Sequence, residues 1–365
     1  MEPVRGEGET LSRAVADAGL PGVIAKNGNS PYEDKPTKSW RRVAASRNTQ
    51  SGKATAQGAL ELLTAGKKSN RYGRVRITNP TKVFWKAQNY TKADLVGYYA
   101  TVAEFLLPYL HERPLHMRRF PDGVDGKSFY HHNAPPHTPE WIETERIADA
   151  DKKAVRYIIC NDRETLLYLA NLGSIDVHPW LSLRTRVDTP DWLILDLDPN
   201  STPFPKVVRV AQALGKLLRG LGLRPYVKTS GSSGIHVYVP LEPRYTYDQA
   251  RMFAEGVARH LTQENPEICT VERKKARRGR RVYIDFLQNR RGQTVMPPYV
   301  VRPVPAASVS TPLDWDELTK ELHPEQFTFE TVTPRLDRLG DLFRGTLEDR
   351  QDLLPAIEAL RERLG

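Results

Sequence analysis

Two aspartates spaced i, i+2 close an apolar run in Trp192-Leu-Ile-Leu-Asp196-Leu-Asp198-Pro199. In an extended strand such residues project to one face, so the spacing predicts paired carboxylates at the end of a hydrophobic strand. Unpaired, they repel each other and resist ionisation. A divalent cation removes that conflict, and oxygen ligands of this kind suit Mg²⁺ or Mn²⁺. Alone, the same spacing also describes a strand end with two solvated acids. Downstream, Thr229-Ser230-Gly231-Ser232-Ser233-Gly234 interleaves hydroxyls with glycine, a composition that lets backbone N–H groups converge on an anion. It leads into Ile235-His236-Val-Tyr-Val-Pro240, whose alternation predicts a strand with His236 near its start. A glycine-rich hairpin with a solvent-facing histidine is the plainer reading of that stretch. A third strand, Val282-Tyr-Ile-Asp285-Phe-Leu-Gln288-Asn289, offers a further aspartate, with Arg290, Arg291, Thr294 and Arg302 following. Three carboxylates, a phosphate cradle and arginines fit nucleotidyl transfer, in which two metals roughly 3.5–4 Å apart clamp the attacking and leaving oxygens.

The elements that must position these residues can be read around them. Lys92–Leu110 carries apolar residues at helical spacing behind Thr91 as N-cap. Pro114–Phe120 reads as a strand, and 162–171 as a helix ending near Gly173. Trp192–Leu197 is a central strand followed by a helix over 206–218. Strands at 225–229 and 236–240 flank the glycine-rich turn. Asp248–Gln263 is helical, Arg281–Leu287 extended, and Trp315–Leu322 begins a closing helical region. Mixed strands and helices in this order predict an α+β fold with sheets holding the site.

Bulk composition narrows the partner. The 365 residues carry a net charge of +10, which points to a polyanion or an anionic surface. No apolar run approaches the ~18 residues of a membrane span and the polar N-terminus is no signal peptide, so nucleic acid is the expected partner and the bacterial cytoplasm, at the nucleoid, the expected place. Cys160 and Cys269 have no metal spacing and read as inert thiols. Residues 272–291 hold nine Lys/Arg against two acids, whereas residues 314–365 have a net charge of −6. The basic run immediately before Asp285 is therefore expected to meet phosphate, and the acidic tail to act as scaffold.

At Asp196-x-Asp198, Ser230-Gly-x-x-Gly-x-His236 and Asp285-x-x-Gln288-Asn289 the sequence resembles, in order, the three motifs of the archaeo-eukaryotic primase superfamily. Thr78–Phe84, Tyr90–Tyr99, Arg118–Gly126 and Pro298–Arg302 narrow the resemblance to bacterial primase-polymerases similar to the polymerase domain of ligase D, over about residues 74–325. It implies an RRM-like catalytic core of mixed β-sheets flanked by helices, spanning residues 71–313, with 314–365 as a C-terminal helical segment packed on it. It further implies that Asp196, Asp198 and Asp285 hold two Mn²⁺ or Mg²⁺ ions. Ser230, His236, His178, Arg302, Arg118 and Arg119 would contact the incoming nucleoside triphosphate. Asn79, Lys82 and Lys92 would grip a 5′-phosphate on the downstream side of a DNA gap, and Phe129 and Tyr130 would stack on DNA bases. Without the resemblance, His178 reads equally as a histidine packed beside Trp180, Lys82 and Lys92 as surface lysines, and Phe129 as core. His131, His132 and His137 lack cysteine partners for zinc.

Residues 1–70 are a separate arm and linker. Gly19–Lys26, Ser30–Tyr32 and Ser39–Val43 resemble the end of an ATP-dependent ligase adenylation domain, but the Lys-x-Asp-Gly nucleophile is missing, so no covalent AMP transfer is expected. Ser233, Met117 and His132 stand where the ligase D pattern has basic residues. With no ligase or phosphoesterase segment following, these departures imply the stand-alone type associated with ligase C. The expected function is then template-dependent filling of short 5′-phosphorylated gaps in DNA repair, with preference for ribonucleotides, by a monomer. Polymerisation in end joining of double-strand breaks, with Ku and a ligase, is the second reading. A non-catalytic nucleic-acid-binding protein is the third, and the intact aspartate triad argues against it.

Overall fold

The structure is a computed structural model and describes residues 23–26, 40–43, 71–148 and 153–364. The chain divides into two compact units, residues 1–54 and 55–365. In the first, strands Val23–Lys26 and Trp40–Val43 pair antiparallel. The remainder of the ligase-like arm and its linker lie outside the described residues.

The second unit is α+β. Helix α1 (Lys92–Leu110) starts where the sequence predicts, with a reciprocal capping box between Thr91 and Asp94. Its buried face presents Leu95, Tyr98, Tyr99, Val102 and Leu106. A first sheet contains β1 (Pro114–Arg119), β2 (Phe129–His131), β3 (Thr144–Ala148), β4 (Ala154–Ile159) and β5 (Ser174–Pro179). Its order is β5-β1-β4-β3, with β2 also paired to β1. Helix α2 (Arg163–Asn171), capped by Asp162, packs on α1.

The second sheet contains β6 (Trp192–Asp198), β7 (Tyr226–Thr229), β8 (Ile235–Pro240), β9 (Cys269–Thr270), β10 (Val282–Asp285) and β11 (Pro312–Leu313), in the order β9-β10-β6-β8-β7-β11. All its pairs are antiparallel except β9 with β10. Leu193, Leu195 and Leu197 alternate with Ile194, Asp196 and Asp198 along β6, so one face is wholly apolar and the other carries the acids. Amphipathic helices α3 (Phe204–Gly220) and α4 (Tyr247–Glu264) pack against this sheet. Part of the acid-bearing face is covered from the C-terminal region. Phe343 meets Tyr226 and Tyr238 edge-on, and the Trp192 indole N–H donates to the Thr346 carbonyl at 2.8 Å. Helix α5 (Phe329–Leu339) stacks Phe329 on Tyr90 and Tyr98, and α6 (Leu354–Leu364) packs near α4. Among the described residues no helix is long and apolar enough to cross a membrane.

Beyond shifts of one or two residues at several element ends, two differences from the sequence reading bear on how the site is held. The helix expected from Trp315 is a single 3₁₀ turn, Trp315–Glu317, because the indole N–H is drawn to the Pro225 carbonyl and Leu318 leaves helical geometry to bury its side chain. The strand expected to reach Leu287 ends at Asp285, where the chain turns and Asn289 takes over. Fully buried Asn289 accepts from the Ile194 amide at 2.8 Å and donates to the Ile194 carbonyl at 2.7 Å and the Phe286 carbonyl at 2.9 Å. A side-chain amide thus continues the ladder on the open edge of β6, two residues before Asp196.

A second brace lies at the start of β6. Buried Asp191 accepts from Arg113 and Arg350, both at 2.8 Å, and from Arg186. Burial pushes its pKa up, but the three guanidinium groups outweigh burial and hold it below the ordinary value.

Replacing Asn289 with Ala strands the amide and carbonyl of Ile194 without partners. We expect a loss of about 2–4 kcal/mol, visible as a lower urea midpoint with an unchanged m-value.

Candidate active site

The register of the second sheet puts four chemically active side chains in one row. Lys228 on β7 stands opposite His236 on β8, His236 opposite Asp196 on β6, and Asp196 opposite Asp285 on β10. Same-face neighbours of this kind lie within reach of one another across adjacent strands. His236 Nε2 is 3.4 Å from Asp196 Oδ1, and Lys228 Nζ is 3.0 Å from His236 Nδ1. Asp198 extends the row one residue pair further along β6.

The electrostatics of the row are uncompensated on its acidic side. Burial, then Asp198 and Asp285, push the Asp196 carboxyl well above the usual carboxylate range, with Lys228 and Arg302 opposing. Burial and Asp285 raise Asp198 as well, against Arg278 and Lys275. Asp285 is braced by the Leu287 amide at 2.8 Å and by Gln288 Nε2 at 3.2 Å. This donor set is oxygen-only and carries the charge a hard divalent cation balances. Among the described residues no three His, Cys, Asp or Glu side chains are already closed around one point, so the carboxylates fit such an ion by chemistry and adjacency rather than as a finished cage.

The glycine-rich turn is built differently from the open cradle its composition suggests. Ser230 Oγ accepts from the amides of Ser232 at 3.1 Å and Gly234 at 3.0 Å. Gly231 has φ +70°, and a Cβ there would meet the Ser310 amide at 2.6 Å, so the turn needs glycine. The Ser230 hydroxyl oxygen thus braces the loop. The Ser230 carbonyl accepts from Arg302 Nη1 at 2.9 Å, which ties the turn to that arginine.

Arg302 is itself held by aromatic residues of α1. The Tyr98 hydroxyl donates to the Tyr299 carbonyl at 2.9 Å, and Tyr99 donates to the Ile175 carbonyl while accepting from the Val301 amide. Tyr299 adopts φ +66° and anchors its hydroxyl on Asp341.

Opposite the aspartate row, the first sheet presents a second set. On β5, Asp176 pairs with Arg118 and His178 with His116; Arg118 in turn pairs with Tyr130. His116, Tyr130, His132 and His178 from this side, with Asp196, His236, Gln288, Arg302 and the 292–296 segment, line a cleft of about 440 Å³. His116 accepts from the Trp180 indole at 3.3 Å, and burial with His132 and His178 drives its pKa down to about 3. His178 lies 5.9 Å from Tyr130, ring to ring. His132, His116, Lys228 and Asp176 were not singled out from sequence as site residues; only the cross-strand register reveals them.

Neighbouring residues read together from sequence separate here. Tyr130 lines the cleft and Arg118, opposite it, shares that face of the sheet, whereas Arg119 and Phe129, also opposite each other, alternate to the other side. Phe129 and Tyr130 are both about half exposed, so Phe129 is no core residue. Arg119 contributes instead to a basic cluster with Lys82 and Lys92. Lys92 is buried rather than a surface lysine, donates to Thr78 Oγ1 at 2.9 Å, and is drawn down to about 8 by burial, Lys82 and Arg119. Lys82 pairs with Asp122 at 2.6 Å. Asn79, at φ +49°, shapes the 79–82 turn, whose carbonyls accept from the first amides of α1. In the basic run before Asp285, Arg278 lies over the Tyr283 ring and its backbone segment is tied by Asn200 and Lys206 to the stretch after Asp198.

A primase-polymerase domain model, described as "LigD, primase-polymerase domain", matches residues 91–343. The chain is 33% identical over 282 residues to a bifunctional non-homologous end joining protein LigD of Bacillus subtilis, covering 76% of this chain and 45% of that protein. It is 33% identical over 277 residues to a multifunctional LigD of Mycolicibacterium smegmatis, covering 74% of this chain and 36% of that protein. It therefore spans less than half the length of these curated relatives. The solved polymerase domain of Mycobacterium tuberculosis ligase D in complex with DNA superposes with a TM-score of 0.71 at 29% identity, covering 77% of this chain and all of that one.

Because Lys92 binds fewer protons folded than at its ordinary pKa of 10.5, stability rises with pH between about 8 and 10.5, and the penalty is fully present below about 8. Lys92→Met should therefore stabilise the protein at pH 7 by on the order of 1 kcal/mol, with the advantage gone above that window. Denaturant melts of both proteins across the pH range check this.

Proposed function

The chain belongs to the LigD primase-polymerase domain family, whose members are DNA-directed nucleotidyltransferases, and we propose that it fills short gaps in DNA that carry a downstream 5′-phosphate. The observation that carries this reading is the presence of two separate devices in one unit. One is the row Asp196, Asp285 and His236 beside Asp198 and Arg302; the other is the Lys82, Lys92 and Arg119 cluster. The first suits triphosphate chemistry and the second suits a terminal phosphate.

In this reading Asp196, Asp198 and Asp285 hold Mn²⁺ or Mg²⁺, and bound cations would neutralise the charge that builds up as a primer hydroxyl displaces pyrophosphate. His236 and Arg302 meet the triphosphate, Arg118 and His178 approach it from the facing sheet, and Ser230 serves through the turn it braces. Arg119 goes with the 5′-phosphate group rather than the nucleotide. Asn79 sets the turn on which Lys82 and Lys92 stand. Tyr130 borders the cleft and Phe129 the opposite side, where each offers an exposed ring for stacking on a base. Preference for ribonucleotides belongs to the same proposal and rests on family likeness.

Polymerisation during end joining is the second reading, favoured by the names of the relatives, which are end-joining proteins. It would bring Ku and a ligase as partners. Incorporation on one- to three-nucleotide gaps, compared with incorporation on noncomplementary overhanging ends, with rNTPs and dNTPs in parallel, separates the two.

Asp196→Asn with Asp198→Asn should reduce primer extension at least about 10³-fold while gapped-DNA affinity stays within about twofold. Millimolar Mn²⁺ should raise the melting temperature of the parent protein and not of this variant. Retained extension, or equal metal stabilisation of both, would remove the aspartates from the chemistry.

The preference for 5′-phosphate over 5′-hydroxyl gaps should decline as pH rises above about 8, where Lys92 loses its proton. Lys92→Arg should flatten that profile, because guanidinium stays charged. Fluorescence anisotropy with matched gap substrates over pH 6.5–9.5 is the measurement, the pH limits being approximate brackets around that ionisation.

A further inference from the structure

Two buried carboxylates in this unit are satisfied in opposite ways. Asp191, 1% exposed, is saturated by three arginines, as a purely structural buried acid is expected to be. Asp176 is 0% exposed, and neither of its carboxylate oxygens accepts a hydrogen bond from any described residue. Native structures rarely leave such a group unpaired without a reason.

Its surroundings supply one. Asp176 Oδ2 is 3.4 Å from His178 Nε2 and 3.9 Å from Arg302 Nε, and both of those nitrogens also lack a hydrogen-bond partner among the described residues. Arg118, its cross-strand neighbour, is committed elsewhere: it donates to Ser128 Oγ and lies over the Phe120 ring. The carboxylate therefore faces two cation-forming side chains that come from different elements, His178 from β5 and Arg302 from the segment clamped by Tyr98 and Tyr99. Both side chains line the cleft, while Asp176 sits behind them. The Val301 and Ile175 contacts of Tyr99 hold these two segments side by side. A β-bulge between Ser174 and Asp176 shifts the register on the same strand, a device that re-aims side chains near active sites.

We propose that Asp176 is a positioning residue for nucleotide binding: it holds the His178 ring and the Arg302 guanidinium in the orientation in which they meet the triphosphate. This rests on the reading that His178 and Arg302 bind nucleotide. At 3.4 Å and 3.9 Å the carboxylate is near enough to orient both groups without taking up their remaining donors. The carboxylate touches no substrate; it acts through the two side chains in front of it.

Steady-state extension of a gapped primer by Asp176→Asn tests this. The nucleotide KM should rise about tenfold while kcat stays within about threefold, the loss of one charge-assisted contact. Melting temperature and gapped-DNA affinity should hold. Asp176→Glu, which keeps the charge, should recover most of the affinity. Asp176→Asn combined with His178→Ala or Arg302→Ala should cost less than the sum of the two single losses, because each double variant retains only the part that Asp176 exerts through the remaining partner. Where the amide variant is unstable, Asp176→Ser carries the same comparison with room for a water. Unchanged KM in Asp176→Asn beside raised KM in His178→Ala and Arg302→Ala would overturn the inference, and so would fully additive losses. Unchanged KM in both His178→Ala and Arg302→Ala would instead overturn the triphosphate reading itself, and the inference with it.

Discussion

Like charge gathered at low solvent access is the constraint around which this unit is organised. Three aspartates on two adjacent strands cannot all ionise cheaply where Asp196 is only partly exposed, and the cost appears as its raised pKa. The sheet does not relieve this by pairing each acid with a base. It places Lys228 and His236 on the same row and Arg302 beside them, close enough to oppose the repulsion without cancelling it. Such an arrangement is costly as a structural element and useful as a receptor for positive charge and phosphate. Protein interiors keep such residual imbalance where function requires it.

The remainder of the unit holds that imbalance in place. Asn289 replaces a missing strand at the edge of β6, and Asp191 pins the start of the same strand with three arginines. Tyr98 and Tyr99 fix the backbone that carries Arg302, and Tyr299 with Tyr109 anchors that segment on Asp341. Several residues that stand inside family-like motifs are therefore braces rather than ligands. Gln288 and Asn289 differ in this respect although they are adjacent: one lines the cleft beside Asp285, the other is fully buried behind it.

The basic cluster follows the same logic on another surface. Lys92 sits at the first position of α1, at the electropositive helix end, with Lys82 and Arg119 nearby. Among the described residues, the Asp122 contact to Lys82 is the ion pair that offsets it within the cluster. A lysine driven down to about 8 in such a place is a lysine that gains by meeting an anion.

Local chemistry was legible in the amino-acid order. Apolar runs closed by Asp196-x-Asp198 and Asp285, the Thr91 cap and the period of α1 all follow from residue type and spacing, because strand alternation, helix period and capping act over a few residues. The α+β class and the family likeness were readable for the same reason. What required the tertiary structure was every relation across strands. That Lys228, His236, Asp196 and Asp285 form one row depends on register, which no single strand encodes. The parting of Arg118 from Arg119 follows strand alternation, but which side faces the cleft was set by the packing of the two sheets. Ser230 became a brace because its own turn folded back on it, and Asp176 entered the site because a long-range clamp brought Arg302 to it. Burial decided the rest: it turned Lys92 from a surface charge into a depressed one and left Asp176 without a hydrogen bond from any described residue, and burial is a property of the assembled chain.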